Sequence, residues 1–146
     1  MPLPPLQHWT WQGEEGIFAV GYRQQSCEGT GAPVLLVHGF GASSDHWRAN
    51  IAPLAEQQPV WALDLLGFGS SDKPRSRLVD EPQGPGSVRY CFDLWAQQVA
   101  DFACQVVQPQ KPLQLVGNSI GGIVALRAAQ LLNERGQAPA QVILLN

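Results

Sequence analysis

A serine held between two glycines, Gly117-Asn118-Ser119-Ile120-Gly121, sits where an apolar run gives way to a helical pattern. Leu113-Gln114-Leu115-Val116 precedes it, and Ile123-Val124-Ala125-Leu126-Arg127-Ala128-Ala129 follows. Few backbones accommodate that arrangement. A strand that turns abruptly into a helix needs small residues around the bend, since a bulkier side chain would lie between the two elements. Such a bend lifts the serine hydroxyl above the end of a sheet. The five-residue pattern says little alone, but between a strand and a helix it nominates Ser119 as a nucleophile.

A second motif lies upstream. Val34-Leu35-Leu36-Val37 runs into His38-Gly39-Phe40-Gly41. A short, unbroken aliphatic run marks a strand covered on both faces. Glycines just past its end let backbone N–H groups turn inward. Acyl transfer needs such donors, because its tetrahedral intermediate carries negative charge on oxygen, and each well-placed donor contributes about 3–4 kcal/mol. The N–H of Phe40 and that of Ile120, just after the serine, are the candidate pair.

The remaining pattern predicts an α/β fold. Gln7–Gln12 and Ile17–Gln25 flank Gly13-Glu14-Glu15-Gly16 and read as a hairpin. A helix is expected from Ser43 or Ser44, with Trp47, Ile51 and Leu54 on one stripe and either a kink or the start of a second short helix at Pro53. Val60–Leu63 is a strand that runs into the glycine-rich loop Asp64–Asp72. Lys73–Tyr90 shows no periodicity and reads as a long connection. A helix then carries Cys91, Trp95, Val99, Phe102 and Val106 on one face, with Gln97, Asp101 and Gln105 opposite. The helix after Ser119 runs to about Glu134, burying Ile120, Val124, Ala128 and Leu131, and Gly136 suits its stop. Gln141–Asn146 is a last strand. Strand and helix in alternation give a mostly parallel sheet with helices on both faces.

Composition narrows the function. The chain has 146 residues, 45% hydrophobic and 14% charged, with net charge −3. That length and balance fit one domain with a packed core and give no electrostatic reason to bind nucleic acid. No apolar run approaches the roughly 20 residues of a membrane span. The N-terminus lacks a secretory pattern, so the chain reads as cytoplasmic. Cys27, Cys91 and Cys104 are widely spaced and read as free thiols. No metal-ligand cluster or dinucleotide loop is visible, so no cofactor is implied.

The wording HGFGASSDHW, DLLGFGSSDKP and GNSIGG resembles the α/β-hydrolase superfamily, from about Trp9 to Asn146. It is similar, more narrowly, to plant and cyanobacterial hydrolases related to pheophytinase and chlorophyll dephytylase. The resemblance implies a serine hydrolase acting on a bulky apolar ester, with Ser119 as nucleophile and the Phe40 and Ile120 amides as oxyanion hole. The elbow is also similar to that of carbon–carbon bond hydrolases, and the scaffold serves acyltransferases. Dehalogenases and epoxide hydrolases on this scaffold use aspartate where Ser119 stands.

The superfamily order is serine, then acid, then histidine. After Ser119 the chain has one acidic residue, Glu134, and no histidine. The expectation is therefore an N-terminal part of a single hydrolase domain, truncated after the strand that follows the elbow helix. As it stands, the chain is expected to be inactive, or a non-catalytic remnant. His38 is expected to anchor the oxyanion loop rather than act as base. His46 is expected at the surface or pocket rim, and His8 has no assigned role. Asp64 is expected to order the Gly67–Ser71 loop, and Trp47, Trp61 and Trp95 to pack in the core.

Overall fold

The computed structural model describes residues 2–146. Eight strands and three α-helices follow in chain order. They are β1 (Leu6–Gly13), β2 (Gly16–Gln25), β3 (Val34–Val37), α1 (Ile51–Leu54), β4 (Val60–Leu63), β5 (Arg75–Ser76), β6 (Ser87–Val88), α2 (Phe92–Phe102), β7 (Gln114–Asn118), α3 (Ile120–Glu134) and β8 (Gln141–Leu145). Six strands form one sheet in the order β1-β2-β4-β3-β7-β8. β2 pairs antiparallel with both β1 and β4, and β4, β3, β7 and β8 run parallel.

The central strands show why unbroken apolar runs were needed. β3 and β4 are buried along their whole length. Alternate side chains face opposite layers, as the strand pleat requires. Leu35, Val37, Trp61 and Leu63 join the core beneath α2, α3 and the β1–β2 hairpin. Val34, Leu36, Val60 and Ala62 face the other way and pack with Trp47, Ile51 and Ala55. Each fully buried aliphatic side chain contributes about 1.5–3 kcal/mol, so both layers hold the sheet.

Several local expectations need correction. The helix expected from Ser43 is a 3₁₀ turn, Ser44–Trp47, capped by the Ser43 side chain, and then the four-residue α1. α1 starts at Ile51 rather than at Pro53, because a first-turn residue has no intrahelical N–H bond to lose. Lys73–Tyr90 is not structureless. β5 and β6 pair there as a short parallel ladder. The Glu15 carboxylate ties that segment to the hairpin by pairing with Arg77 and accepting the Arg89 N–H at 2.6 Å.

Cys91 does not lie in the buried stripe of α2. It is exposed, and its Sγ caps the first turn. Val106 lies beyond α2, in a π-helical segment spanning Ala103–Val107, and is half-buried. In α3 Val124 and Ala128 are buried as expected, but the buried leucine is Leu132, with Leu131 and Ile120 only partly covered. α3 ends as Gly136 implies: the Gly136 N–H donates to Asn133 O at 3.0 Å and Gln137 N–H to Leu132 O at 2.8 Å. This double bond pattern satisfies carbonyls of the last turn. All three cysteines are free.

β8 is the outer strand of the sheet, and Ile143, Leu144 and Leu145 are 38–55% exposed along it. Ile123 and Leu126 of α3 add to the exposed apolar surface. Among the described residues, no helix is long and apolar enough to cross a membrane.

Candidate active site

The strand order reverses between β3 and β7: the chain leaves β3 toward β4, and β7 lies on its other side. In open α/β sheets, a crevice forms at the carboxyl ends of strands at such a reversal. His38-Gly39-Phe40 follows β3, and Ser119 follows β7, so both sequence motifs reach this one place.

The bend at Ser119 is sharp. Its φ is +55° and ψ −125°, a conformation that a residue with a side chain rarely adopts. Of the described non-glycine residues, only Gln108 joins it at positive φ. Tight packing enforces the turn. A Cβ on Gly117 would fall 2.2 Å from Gly121 O, and one on Gly121 would fall 2.4 Å from Val37 O and 2.5 Å from His38 O. The start of α3 is thus pressed against the end of β3. The Ser119 N–H donates to Leu145 O at 2.9 Å, while its side chain makes no capping bond and the residue is exposed.

The loop after β3 lies directly beside the serine. A Cβ on Gly39 would sit 3.2 Å from Ser119 Cβ and 3.1 Å from Asn118 O. Neither the Phe40 N–H nor the Ile120 N–H finds an acceptor among the turn, loop and cap hydrogen bonds of the described residues. Two unpaired donors therefore flank the serine on neighbouring segments.

His38 fixes this loop. It is fully buried. Its Nε2 accepts the Leu65 N–H at 3.0 Å, so the ring proton must be on Nδ1, which donates to Gly39 O at 2.7 Å. Both nitrogens are occupied, and none is free to take a proton from Ser119. His46 and His8 are exposed. Glu134 is exposed at the far end of α3. Among the described residues, no acid–histidine pair is brought to Ser119.

Burial lowers the His38 pKa below its usual 6.5, outweighing the Gly39 hydrogen bond. Above that pH the ring is neutral in folded and unfolded chains alike. As pH falls below it, the unfolded chain takes up a proton that the folded chain refuses, so stability declines. The decline ends at the depressed folded-state value, where both forms are protonated. Its slope is at most about 1.4 kcal/mol per pH unit. Urea midpoints measured from about pH 5 to 7.5 should show this slope, and His38→Gln should flatten it.

Asp64 organises the neighbouring loop. Its carboxylate is buried and accepts the Ser44 N–H at 2.6 Å, the Ser70 N–H at 2.9 Å and the Ser70 hydroxyl at 2.8 Å. Its carbonyl accepts the Ser71 hydroxyl at 2.6 Å and Gln98 Nε2 at 3.1 Å. Gln98 Oε1 in turn accepts the Leu66 N–H at 2.9 Å. Sequence reasoning missed Gln98. A usable signal existed: it lies three residues after Trp95 and four before Phe102, inside the apolar stripe of α2.

Phe40 is 77% exposed and packs edge-on against Phe68, with ring centroids 5.4 Å apart. Beside it opens a cleft of about 280 Å³, lined by Phe40, Gly67, Phe68, Tyr90 and Trp95. Trp47, Trp61 and Trp95 are buried as expected, but Trp95 also walls this cleft. Among the described residues, no group of three or more His, Cys, Asp and Glu side chains is arranged to hold a metal ion.

Residues 32–138 match the sequence model of the alpha/beta hydrolase fold family. The chain is 31% identical to the chloroplast pheophytinase of Arabidopsis thaliana, over 82% of this chain and 28% of that protein. It is 33% identical to a 2-hydroxy-6-oxo-6-(2′-aminophenyl)hexa-2,4-dienoic acid hydrolase from Metapseudomonas resinovorans, over 73% of this chain and 33% of that protein. Its fold superposes on a thermophilic esterase from Thermogutta terrifontis with a TM-score of 0.71 and 26% identity, covering 96% of this chain and 44% of the esterase. The chain therefore spans about a third or less of the length of these two curated relatives.

Proposed function

This chain belongs to the alpha/beta hydrolase fold family, and from that premise we propose that it is the N-terminal part of one serine hydrolase domain that cleaves an ester of a bulky apolar substrate. The observation that carries this reading is the conformation of Ser119. A side chain is kept at φ +55°, where glycine would rest more easily, and the residue is left exposed. In the proposed reaction Ser119 Oγ attacks the ester carbonyl while the Phe40 and Ile120 N–H groups hold the oxyanion. The serine proton passes to a histidine, then to the departing alcohol. Water adds to the acyl-serine and releases the acid. The histidine and its acidic partner lie outside residues 1–146. The exposed β8 edge would be an inner strand of the whole sheet.

The similarity to the dienoic acid hydrolase supports a second reading, in which the same early machinery breaks a carbon–carbon bond. An acyltransferase would also use it, with an alcohol in place of water. Product analysis with a dienone or an acyl acceptor separates these.

The test is labelling by a fluorophosphonate. The protein encoded by the whole reading frame is expected to label at Ser119 and to lose the label in Ser119→Ala. Persistent labelling of that variant would overturn the assignment. Residues 1–146 alone should label at least about a thousandfold more slowly, because loss of the base in a comparable triad costs about 10⁶ in turnover.

A further inference from the structure

We propose that the cleft beside Phe40 is a subsite for one flat aromatic ring of the substrate, and that Phe68 determines this preference. The inference rests on the hydrolase reading for the position of the carbonyl. It adds the chemistry of the group next to that carbonyl.

Four of the five lining residues are aromatic, and the fifth, Gly67, has no side chain. Phe68 is the hub. Its ring meets Phe40 at 5.4 Å and 75°, His38 at 5.6 Å and 78°, and Trp95 at 5.8 Å and 46°. Tyr90 continues the wall, 6.1 Å from Trp95. Tilted and edge-on pairs at these separations are mutually attractive, so the rings hold one another at set angles. Such a wall presents flat ring faces and edges to a ligand, where an aliphatic lining would present none.

The polar ends of the wall are already satisfied. The Trp95 indole N–H donates to Leu66 O at 2.9 Å, and the Tyr90 hydroxyl donates to Pro74 O at 2.6 Å. The side chains of the wall therefore offer ring faces and C–H edges rather than hydrogen bonds. Gly67 makes room for it: its φ is +92°, and a Cβ there would fall 2.8 Å from the Tyr90 ring. At about 280 Å³ the cleft sits just under the ~300–1,000 Å³ of sites that enclose a drug-sized ligand. It suits one ring system and leaves the rest of a bulky ester outside. Phe40 joins the two functions, since its backbone N–H is the proposed oxyanion donor and its ring stands at the cleft.

The test uses the isotopically labelled protein encoded by the whole reading frame and two methyl ketones of comparable hydrophobicity, 2-acetonaphthone and 2-nonanone. Neither is hydrolysed, so binding is read without turnover. The aryl ketone is expected to bind about tenfold more tightly, as two or more favourable ring contacts imply. Its amide and indole shifts should centre on Gly67, Phe68 and Trp95. Phe68→Leu keeps apolar bulk but removes the ring, and should cut the preference to about threefold or less. Equal or tighter binding of the alkyl ketone to the unaltered chain overturns the inference, as do shifts centred elsewhere. If Phe68→Leu loses the dispersed spectrum of a folded chain, Tyr90→Leu is measured in its place, with the same reduction expected. Ring preference without fluorophosphonate labelling would overturn the hydrolase reading alone. Labelling without ring preference would overturn this inference alone.

Discussion

The Ser119→Gly variant is expected to gain stability as it loses its chemistry. A side chain at φ +55°, ψ −125° stores about 1–3 kcal/mol of backbone strain. Glycine relieves that strain, against about 0.5–1 kcal/mol of extra freedom in the unfolded chain. The net gain should be about 1 kcal/mol, or several degrees in Tm. Ester turnover by the complete domain should fall by about 10⁶, the loss seen when subtilisin is stripped of its serine. Ser119→Ala provides the control. It removes the same hydroxyl but keeps the strained Cβ, so its Tm should stay near that of the natural sequence. Calorimetry on the three forms decides the matter. A glycine variant no more stable than the alanine variant would show that the bend is unstrained and would remove the backbone support for Ser119 as nucleophile.

The contrast also explains which parts of this fold were legible in the sequence. β3 and β4 were readable because strands covered on both faces admit little but aliphatic residues, and the two layers then follow from alternation. The anchoring role of His38 was readable because a histidine between an apolar strand and a glycine turn is surrounded by unpaired backbone groups. Features that depend on where an element begins were not readable. Spacing put Cys91 on the apolar face of α2, but α2 starts one residue later and leaves it as a cap. The β5–β6 ladder is two residues deep and has no period to detect. The aromatic cleft was invisible for a different reason. Phe40, Phe68 and the pair Tyr90 and Trp95 come from three separate stretches of chain, and only the converged fold makes them one wall.

The adjacent glycines at the start of α3 give the sharpest remaining test, because the same substitution at each should have opposite effects. Both positions gain about 0.8–1 kcal/mol of helix propensity when glycine becomes alanine. At Gly122 little opposes that gain. The nearest atom to an added Cβ is Leu144 Cδ2 at 3.2 Å, the movable end of a flexible side chain on the exposed edge strand. Gly122→Ala should be neutral or stabilising by up to about 1 kcal/mol. At Gly121 the added carbon would meet Val37 O at 2.4 Å and His38 O at 2.5 Å, both backbone atoms of the central sheet. Neither can yield without moving β3 or lifting α3. Gly121→Ala should therefore cost about 3–5 kcal/mol, at or beyond the usual range for overpacking. Relief by lifting α3 would also carry the Ile120 N–H away from the Gly39–Phe40 loop. Any folded fraction of Gly121→Ala should then label with fluorophosphonate about 10²–10³ more slowly in the complete domain, the loss expected for one oxyanion donor. Urea denaturation of the two alanine variants, with labelling rates per folded molecule, measures both effects. If Gly121→Ala were as stable as Gly122→Ala, the close contact between α3 and β3 would be wrong. The placement of both proposed oxyanion donors, the Phe40 and Ile120 amides, depends on that contact.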